Sequence, residues 1–336
     1  MRQSTEQVLS MQLSRSPGLL AAIFLLASCA SSDAPEAPGG TAPPPASFVA
    51  VPFVSAHRGG AAYAPENTML AYENAARLGV DDFEADMLVT ADEVLVLMHD
   101  DTLDRTTNCS GRVADHSYAQ ILECDAAYWF SPGQPTTSPD EARTHPLRGT
   151  GVRVPTAEEL FAFAAQFEGD YAPTVTIEIK ISFDGVEGLT TAGLRAAQLL
   201  VGQIQASGIQ DRIIVQSFNP LAIDAVKLLD PTIRTLYLTP SGALLSLSYA
   251  TLRGHEYVAP QFASPDLNAA LVDSAHALGK QVVPWTADSE ADIRHLIDMG
   301  VDGIITNFPA CLLAIQGRLH TDRLTPAGGG DAPSCR

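Results

Sequence analysis

Basic residues are scarce in this 336-residue chain. Lysine and arginine together number 20 against 39 aspartates and glutamates, so the formal net charge is −19. A surface with that balance repels the phosphates of DNA and RNA at long range. The composition therefore argues against a nucleic-acid partner. An anionic ligand would need local positive charge, from a metal ion or from a few basic side chains.

Cysteine is also rare, and its spacing argues against a zinc site. The chain has 5 cysteines and no Cys-x-x-Cys pair, which structural zinc sites commonly use. Apart from Cys29, the cysteines are Cys109, Cys124, Cys311 and Cys335. In an exported protein this even set would form two disulfides, with three pairings open. Sequence proximity favours Cys109–Cys124 and Cys311–Cys335.

Long apolar runs are missing as well. No stretch reaches the roughly eighteen consecutive apolar residues that mark a membrane-spanning helix. Residues 18–28 form an apolar run of about eleven residues, typical of a signal-peptide core. The run ends in LASC, which resembles the bacterial lipoprotein box with Cys29 as the lipidated residue. We expect residues 1–28 to be a lipoprotein signal peptide. An ordinary secretory signal is the alternative, and translation could start at Met1 or Met11.

Residues 29–47 are rich in Pro, Ala, Ser and Gly and contain almost no large apolar side chain. Such a segment cannot bury enough surface to offset its chain entropy, so we predict a disordered tether. The protein is then an exported lipoprotein, periplasmic or at the cell surface, held to the membrane through Cys29. Ala30 weakly favours the outer membrane. The folded domain is predicted over residues 48–320, followed by a tail over 321–336.

From residue 51 onward, short β-rich apolar runs alternate with amphipathic stretches. The predicted strands cover residues 53–56, 82–87, 94–99, 174–179, 213–217, 235–238, 257–259, 281–285 and 303–306. The predicted helices cover residues 68–78, 157–167, 190–206, 220–229, 268–278 and 290–299. Repeated strand–helix units favour an α/β fold with a closed (β/α)8 TIM barrel, and a doubly wound open sheet is the alternative.

Residues 109–154 break this rhythm with an aromatic cluster, Tyr128, Trp129 and Phe130, and a Pro- and Thr-rich stretch. We predict an insertion after the second barrel strand, closed by Cys109–Cys124 and folded over the mouth of the barrel. The aromatic cluster would line an apolar channel beside the site or pack the insertion.

Several polar side chains fall where predicted strands end, which is where parallel barrels place functional groups. His57 and Arg58 follow the first strand. Glu84 and Asp86 share one face of the second strand, because alternate residues of a strand point the same way. Two carboxylates on one face repel each other unless a cation joins them, and their hard oxygen atoms suit Mg²⁺ or Ca²⁺.

The same pattern recurs further along the chain. His99 ends the predicted strand 94–99, and Glu178 and Lys180 repeat the i, i+2 spacing at the end of 174–179. Each motif alone is typical of a solvated surface. Their joint placement at strand ends favours a metal-assisted site for a phosphate ester, in which two histidines handle protons near neutral pH.

The motifs HRG-x5-PENT, E-x-D, HD-x-x-LDRTT, E-x-K, QSF and the closing W…DGIITN-x-P follow one another over residues 55–309. In this order they resemble the glycerophosphodiester phosphodiesterase family. The resemblance implies a TIM barrel that hydrolyses small glycerophosphodiesters to glycerol 3-phosphate and an alcohol with one divalent cation, Ca²⁺ or Mg²⁺. The resemblance further implies that His57 and His99 are the acid–base pair, and that Glu84, Asp86 and Glu178 bind the metal. Arg58 and Lys180 would contact the phosphate, Glu66 and Asn67 would brace the site, and Trp285 would line the glycerol pocket. Arg105 would order its own loop.

Two further functions remain open. A lysophospholipase D would use the same residues on acylated substrates and would need an apolar channel. A surface binding lipoprotein would keep the barrel without catalysis, but it has no need to hold acid, base and ligands together. Asn307 departs from the family's commoner Thr-Asp ending and is expected to tune the pocket. The sequence leaves the released alcohol, the metal, the mechanism (cyclic phosphate or direct water attack) and the oligomeric state open.

Overall fold

The computed structural model describes residues 51–135, 139–181, 186–320, 327 and 334–336, with backbone alone for 186–190. The predicted signal peptide, the lipidation at Cys29 and the tether all lie outside the described residues, as does most of the predicted tail. Within the described part, no helix combines the length and the apolar character needed to cross a bilayer.

Eight parallel strands form a barrel, and a ninth strand lies outside its wall. The strands are β1 (Phe53–Ala56), β2 (Asp82–Val89), β3 (Leu95–Leu97), β4 (Thr174–Ile179), β5 (Ile213–Ser217), β6 (Arg234–Thr239), β7 (Tyr257–Pro260), β8 (Gln281–Val282) and β9 (Gly303–Thr306). The wall is ordered β8-β7-β6-β5-β4-β2-β1-β9. Single backbone bonds close it: Asp302 N donates to Val282 O (2.9 Å), and Ile305 N donates to Pro284 O (3.0 Å). The predicted (β/α)8 barrel is confirmed.

The helices are α1 (Met69–Leu78), α2 (Tyr118–Ile121), α3 (Ala157–Ala164), α4 (Val186–Ala206), α5 (Pro220–Leu229), α6 (Ala243–Arg253), α7 (Ala269–Ala277), α8 (Glu290–Met299) and α9 (Pro309–Ile315). Side-chain caps mark many helix starts, as the sequence indicates. The Thr156 hydroxyl accepts from Glu159 N, and the Glu159 carboxylate accepts from Thr156 N, which completes a capping box. Helices α2, α6 and α9 were not predicted from the sequence.

Strand β2 shows how the barrel divides apolar from polar surface. Phe83, which alternates with the acidic residues along β2, packs in the core that also contains helix residues such as Leu160. Asp82, Glu84 and Asp86 share the opposite face. A smaller apolar cluster, including Ile214, Leu236, Val283 and Ile305, packs separately from that core.

The predicted insertion, residues 109–154, lies between β3 and α3, and a predicted strand just before it is corrected by the structure. Residues 94–99 do not form a barrel strand. β3 instead folds back antiparallel on β2, with Met87 opposite Leu97. The hairpin still brings the chain back to the site, since Met98 N donates to Asp86 O at 3.0 Å. The insertion also contacts the loop after β1, where Gly133 N donates to Ala62 O at 2.7 Å.

The structure pairs Cys109 with Cys124 and Cys311 with Cys335, the two pairings that sequence proximity favours. The first bond lies in the insertion, where Ile121 packs in a small apolar cluster with Val96 and Leu103 from outside it. The second bond ties the C-terminal residues to α9.

Replacing Gly303 with alanine should destabilise the barrel. A Cβ at this position would lie 2.3 Å from the Phe53 ring, and relieving such overpacking costs roughly 1–3 kcal/mol. Gly202→Ala is the matched control, because a Cβ there meets nothing within 4 Å and helical alanine is favoured over glycine. Urea unfolding of both variants checks this. Equal unfolding free energies would contradict the packing argument.

Candidate active site

Three neighbouring strands bring the predicted site residues together at one end of the barrel. β1 leads into His57 and Arg58, β2 carries Glu84 and Asp86, and β4 ends at Glu178 followed by Lys180. Asp86 lies opposite Glu178 in the β2–β4 ladder. The carboxylate oxygens of Glu84, Asp86 and Glu178 lie within 4.8 Å of one another, and all three residues are buried.

This carboxylate cluster has too little positive charge around it for all three groups to ionise. Lys180 Nζ lies 3.1 Å from Glu178 Oε1 and 3.6 Å from Asp86 Oδ1, and Arg58 Nε lies 3.3 Å from Asp86 Oδ2. Burial opposes the ionisation of Asp86, but Lys180 and Arg58 outweigh it and hold that pKa well below its usual range. Burial raises the pKa of Glu178 to about 8 despite Lys180. Burial and the charge of Asp86 also raise the pKa of Glu84 well above its usual value.

The carboxylate cluster therefore fits a divalent cation, which would supply the missing charge. Asp86 Oδ1 is a buried oxygen without a hydrogen-bond partner. Buried polar atoms of this kind call for an explanation, and an ion is one of them. Carboxylate oxygens are also the ligands that hard divalent cations prefer.

Unusual backbone conformations aim the surrounding groups at the carboxylate cluster. Arg58 and Asn67 both have positive φ angles, 53° and 55°. Arg58 N donates to Glu84 Oε2 at 2.7 Å. Asn67 Nδ2 donates to Asp86 Oδ2 (2.8 Å), and Asn67 Oδ1 accepts from Asp86 N (3.0 Å). Gly59 permits the tight turn between them, since a Cβ there would lie 2.6 Å from the Cβ of Ala71.

A chain of ion pairs connects Arg58 to His99. Glu66 Oε1 accepts from Arg58 Nη1 (2.9 Å) and from Arg105 Nη2 (2.7 Å). Arg105 Nε donates to Asp100 Oδ2 (2.6 Å), and His99 Nδ1 lies 2.7 Å from Asp100 Oδ1. Burial alone would raise the pKa of Glu66, but Arg58 and Arg105 outweigh it and lower that pKa to about 2. We expected Arg105 to order its own loop. It also connects Asp100, the partner of His99, to Glu66.

His57 has a neutral partner instead of a carboxylate. Its Nδ1 lies 2.7 Å from Asn307 Oδ1. The orientation of that amide follows from Asp288, whose Oδ2 accepts from Asn307 Nδ2 at 2.9 Å. The oxygen of Asn307 therefore faces the ring, and His57 Nδ1 is the donor. Burial and the neighbouring Arg58 lower the pKa of His57 to about 3.

Sequence reasoning did not identify three residues that complete these contacts. Asp100 directly follows His99, so its position in the motif was an available signal. Gln216, in the QSF motif, is buried, and its Nε2 donates to Glu84 Oε1 at 2.7 Å. Asp288 lies in a loop and had no sequence signal, because its contact with Asn307 depends on how two loops pack.

The histidines face a small cleft that opens beside a larger groove. The cleft has a volume of about 80 Å³ and is lined by residues including His57, His99, Glu178 and Trp285. The groove has a volume of about 860 Å³. Its lining shares His99, Glu178, Lys180 and Trp285 with the site and adds the apolar and aromatic side chains Ile181, Phe218, Tyr237, Leu238 and Pro240.

The aromatic cluster of the insertion packs elsewhere. Trp129 Nε1 donates to Thr107 O at 3.0 Å. The guanidinium of Arg148 lies 4.1 Å from the ring centre of Tyr128 and 4.9 Å from that of Trp129. Neither Tyr128, Trp129 nor Phe130 is among the residues that line the groove. Of the two uses we considered for this cluster, packing the insertion is the one these contacts support.

Comparison with known proteins identifies the family. The model of the glycerophosphoryl diester phosphodiesterase family matches residues 57–311, which include every predicted catalytic, substrate-binding and metal-binding position. The chain belongs to this family. The predicted resemblance is thereby confirmed, together with the assignment of the chain to the phosphodiesterases of that family.

Curated relatives agree with the family match. The chain is 34% identical to a glycerophosphodiester phosphodiesterase of Bacillus subtilis over 257 residues, which cover 76% of this chain and 83% of the relative. A glycerophosphodiester phosphodiesterase of Caldanaerobacter subterraneus is 32% identical, with 78% of this chain and 96% of the relative covered. A solved glycerophosphodiester phosphodiesterase structure from Parabacteroides distasonis is 23% identical with a TM-score of 0.63 and covers 80% of this chain and 98% of that chain, which supports the fold.

Glu66→Gln should remove a pH-dependent part of the stability. The folded pKa of about 2 lies below the ordinary glutamate value of 4.5, so ionised Glu66 stabilises the folded protein above about pH 4.5. That stabilisation is lost as the pH falls toward 2, and at pH 7 it amounts to roughly 3 kcal/mol. Urea unfolding from pH 7 to pH 3 should show the two proteins converging. Glu73→Gln, on the exposed face of α1, is the control. A difference that stays constant with pH would contradict the argument.

Proposed function

We propose that this protein hydrolyses glycerophosphodiesters to glycerol 3-phosphate and an alcohol. The observation that carries the proposal is the pair of histidines, each held through Nδ1 by its own partner, beside a buried carboxylate cluster. In such a site, one histidine can accept the proton of the attacking hydroxyl while the other donates a proton to the leaving oxygen. The relatives named glycerophosphodiester phosphodiesterase support the substrate class.

The cofactor of this proposal is one divalent cation, Ca²⁺ or Mg²⁺, held by Glu84, Asp86 and Glu178. When bound, such an ion stabilises the charge that develops on phosphoryl oxygens during displacement. Arg58 and Lys180 lie against the same carboxylates and are placed to contact the remaining phosphate oxygens. Because the net charge of the protein is −19, this local positive charge is what allows an anionic substrate to bind.

The partners of the two histidines support a division of roles between them. His57 donates through Nδ1 to the Asn307 oxygen, which leaves Nε2 as an acceptor suited to a general base. His99 pairs through Nδ1 with the Asp100 carboxylate. That contact fixes the ring with Nε2 free to donate a proton to the leaving oxygen, so we assign His99 as the general acid.

In the proposed first step, the glycerol 2-hydroxyl oxygen forms a bond to phosphorus while the bond from phosphorus to the alcohol oxygen breaks. His57 accepts the hydroxyl proton, and His99 donates a proton to the leaving oxygen. Water then opens the cyclic phosphate with the two roles exchanged. Direct attack by water would use the same residues. Trapped cyclic phosphate would support the first route, and full activity on substrates without the 2-hydroxyl would contradict it.

The groove favours a second candidate activity, that of a lysophospholipase D. An acyl chain needs an apolar surface beside the phosphate site, and Phe218, Tyr237, Leu238 and Pro240 provide one. Each buried methylene contributes roughly 0.8 kcal/mol. The binding-lipoprotein alternative has less support, because binding alone does not require two oriented histidines.

We further propose that the protein is exported and anchored through lipidated Cys29. The two disulfides support an oxidising compartment. Mass spectrometry of the mature N-terminus tests this. An unmodified cysteine or an uncleaved leader would contradict it.

Metal-stripped protein should release no glycerol 3-phosphate from glycerophosphocholine until Ca²⁺ or Mg²⁺ is restored. His57→Ala and His99→Ala should each lower kcat by roughly 10²- to 10⁴-fold, the range typical of general acid–base groups. His295→Ala, exposed on α8, is the matched control and should match the wild-type protein. Metal-independent release, or an active His57→Ala variant, would contradict the proposal.

If the groove binds an acyl chain, Tyr237→Ala should lower kcat/KM for lysophosphatidylcholine about tenfold while leaving the value for glycerophosphocholine within about twofold, since tenfold corresponds to about 1.4 kcal/mol of lost contact. Tyr128→Ala, in the insertion, is the matched control. An equal effect of both variants on the two substrates would argue against the groove as an acyl site.

A further inference from the structure

The C-terminal residues of the chain lie against the loops that carry His57 and its partners. Cys335 is joined by a disulfide to Cys311 of α9, 24 positions earlier. Cys311 is fully buried in the core between the barrel and its helices. We call residues 334–336 together with this disulfide the C-terminal clasp.

Backbone hydrogen-bonding groups fix the C-terminal clasp on two sides. Arg336 N donates to Asp288 O at 3.1 Å, in the loop between β8 and α8. On the other side, the Tyr63 hydroxyl donates to Ser334 O at 2.9 Å. Tyr63 is fully buried in the loop between β1 and α1, six residues after His57. The C-terminal clasp therefore bridges the loop of His57 and the loop of Asp288.

Asp288 connects the C-terminal clasp to the imidazole. Its backbone oxygen binds Arg336, and its side chain binds Asn307 twice: Oδ1 accepts from Asn307 N and Oδ2 accepts from Asn307 Nδ2, both at 2.9 Å. Asn307 Oδ1 then lies 2.7 Å from His57 Nδ1. A shift of the Asp288 loop would free the amide to rotate and present its nitrogen to the ring. Nδ1 would then have to accept a hydrogen bond, so the ring proton would move to Nε2. Nε2 could then no longer accept the substrate proton as the base.

We infer that the C-terminal clasp is a positioning element for the reaction. It holds Asp288, so that Asn307 keeps its oxygen toward His57 and Nε2 stays free to accept the substrate proton. The inference rests on the proposed function, in which His57 acts as the base. It assigns Asn307, Asp288 and residues 334–336 to positioning, because none of them acts on the reacting atoms directly.

A purely stabilising disulfide would behave differently. It would lower the unfolding temperature on removal and leave the kcat of the folded protein unchanged. A positioning element lowers kcat while the protein is still folded. KM should stay nearly unchanged because, among the described residues, the side-chain hydrogen bonds and ion pairs of Arg58 and Lys180 go to the carboxylate cluster and Glu66, not to the C-terminal clasp.

The test compares the full chain with a deletion of residues 334–336 and with Cys335→Ser, assayed on glycerophosphocholine with Ca²⁺ well below the unfolding temperature of each protein. We expect kcat to fall roughly 10- to 100-fold, the scale typical of a catalytic group displaced by about 1 Å, with KM within about twofold. Val226→Ala, a cavity-forming change in the buried face of α5 away from β1 and β9, controls for lost stability alone. Arg336→Ala keeps the backbone N–H and should match the wild-type protein.

A double-mutant cycle shows the route of the effect. Asn307→Ala should lower kcat to a similar extent, and the deletion should add little in that background, since both changes act on the same contact. If the kcat losses of the deletion and of Asn307→Ala multiply in the combined variant, the route through Asn307 is overturned. An unchanged kcat in the folded deletion variant would overturn the inference. An inactive wild-type protein would instead overturn the proposed function, so the two failures are distinguishable.

Discussion

The crowding of three buried carboxylates at the end of β2 and β4 is the constraint on which the rest of the site depends. Ionised carboxylates this close repel strongly in a low-dielectric interior. The chain provides Arg58 and Lys180, and these lower the pKa of Asp86. Glu84 and Glu178 keep raised pKa values. The side chains around the cluster thus leave part of its charge uncompensated, and the proposed cation would supply the remainder.

The histidines sit at the edge of this charged centre and are held by separate structures. His99 reaches the site on the β2–β3 hairpin and is fixed by Asp100, which Arg105 connects to Glu66. His57 follows β1 and is fixed by the amide of Asn307. A carboxylate therefore holds one histidine, and an amide oriented by Asp288 holds the other. The proposed division into acid and base rests on this difference in hydrogen-bond partners.

The barrel and the carboxylate cluster could be predicted from the sequence because both depend on local periodicity. Alternation along β2 places Glu84 and Asp86 on one face whatever the rest of the chain does, and strand–helix repetition predicts the parallel wall. Residues 94–99 could not be placed in this way, since a short apolar run has the same pattern in a parallel and in an antiparallel strand. The contacts of Asp288 were also out of reach, because they arise only when the loops after β8 and β9 meet.

The loop between β1 and α1 carries the highest concentration of unfavourable backbone in the site, and its surroundings explain how it persists. Positive φ angles at Arg58 and Asn67 cost of order 1 kcal/mol or more each, so they survive only where neighbours over-determine them. The insertion binds this loop at Ala62, and the C-terminal residues bind it at Tyr63. Each of these two segments contains a disulfide. Both disulfides lie outside this loop, and each fixes a segment that hydrogen-bonds to it.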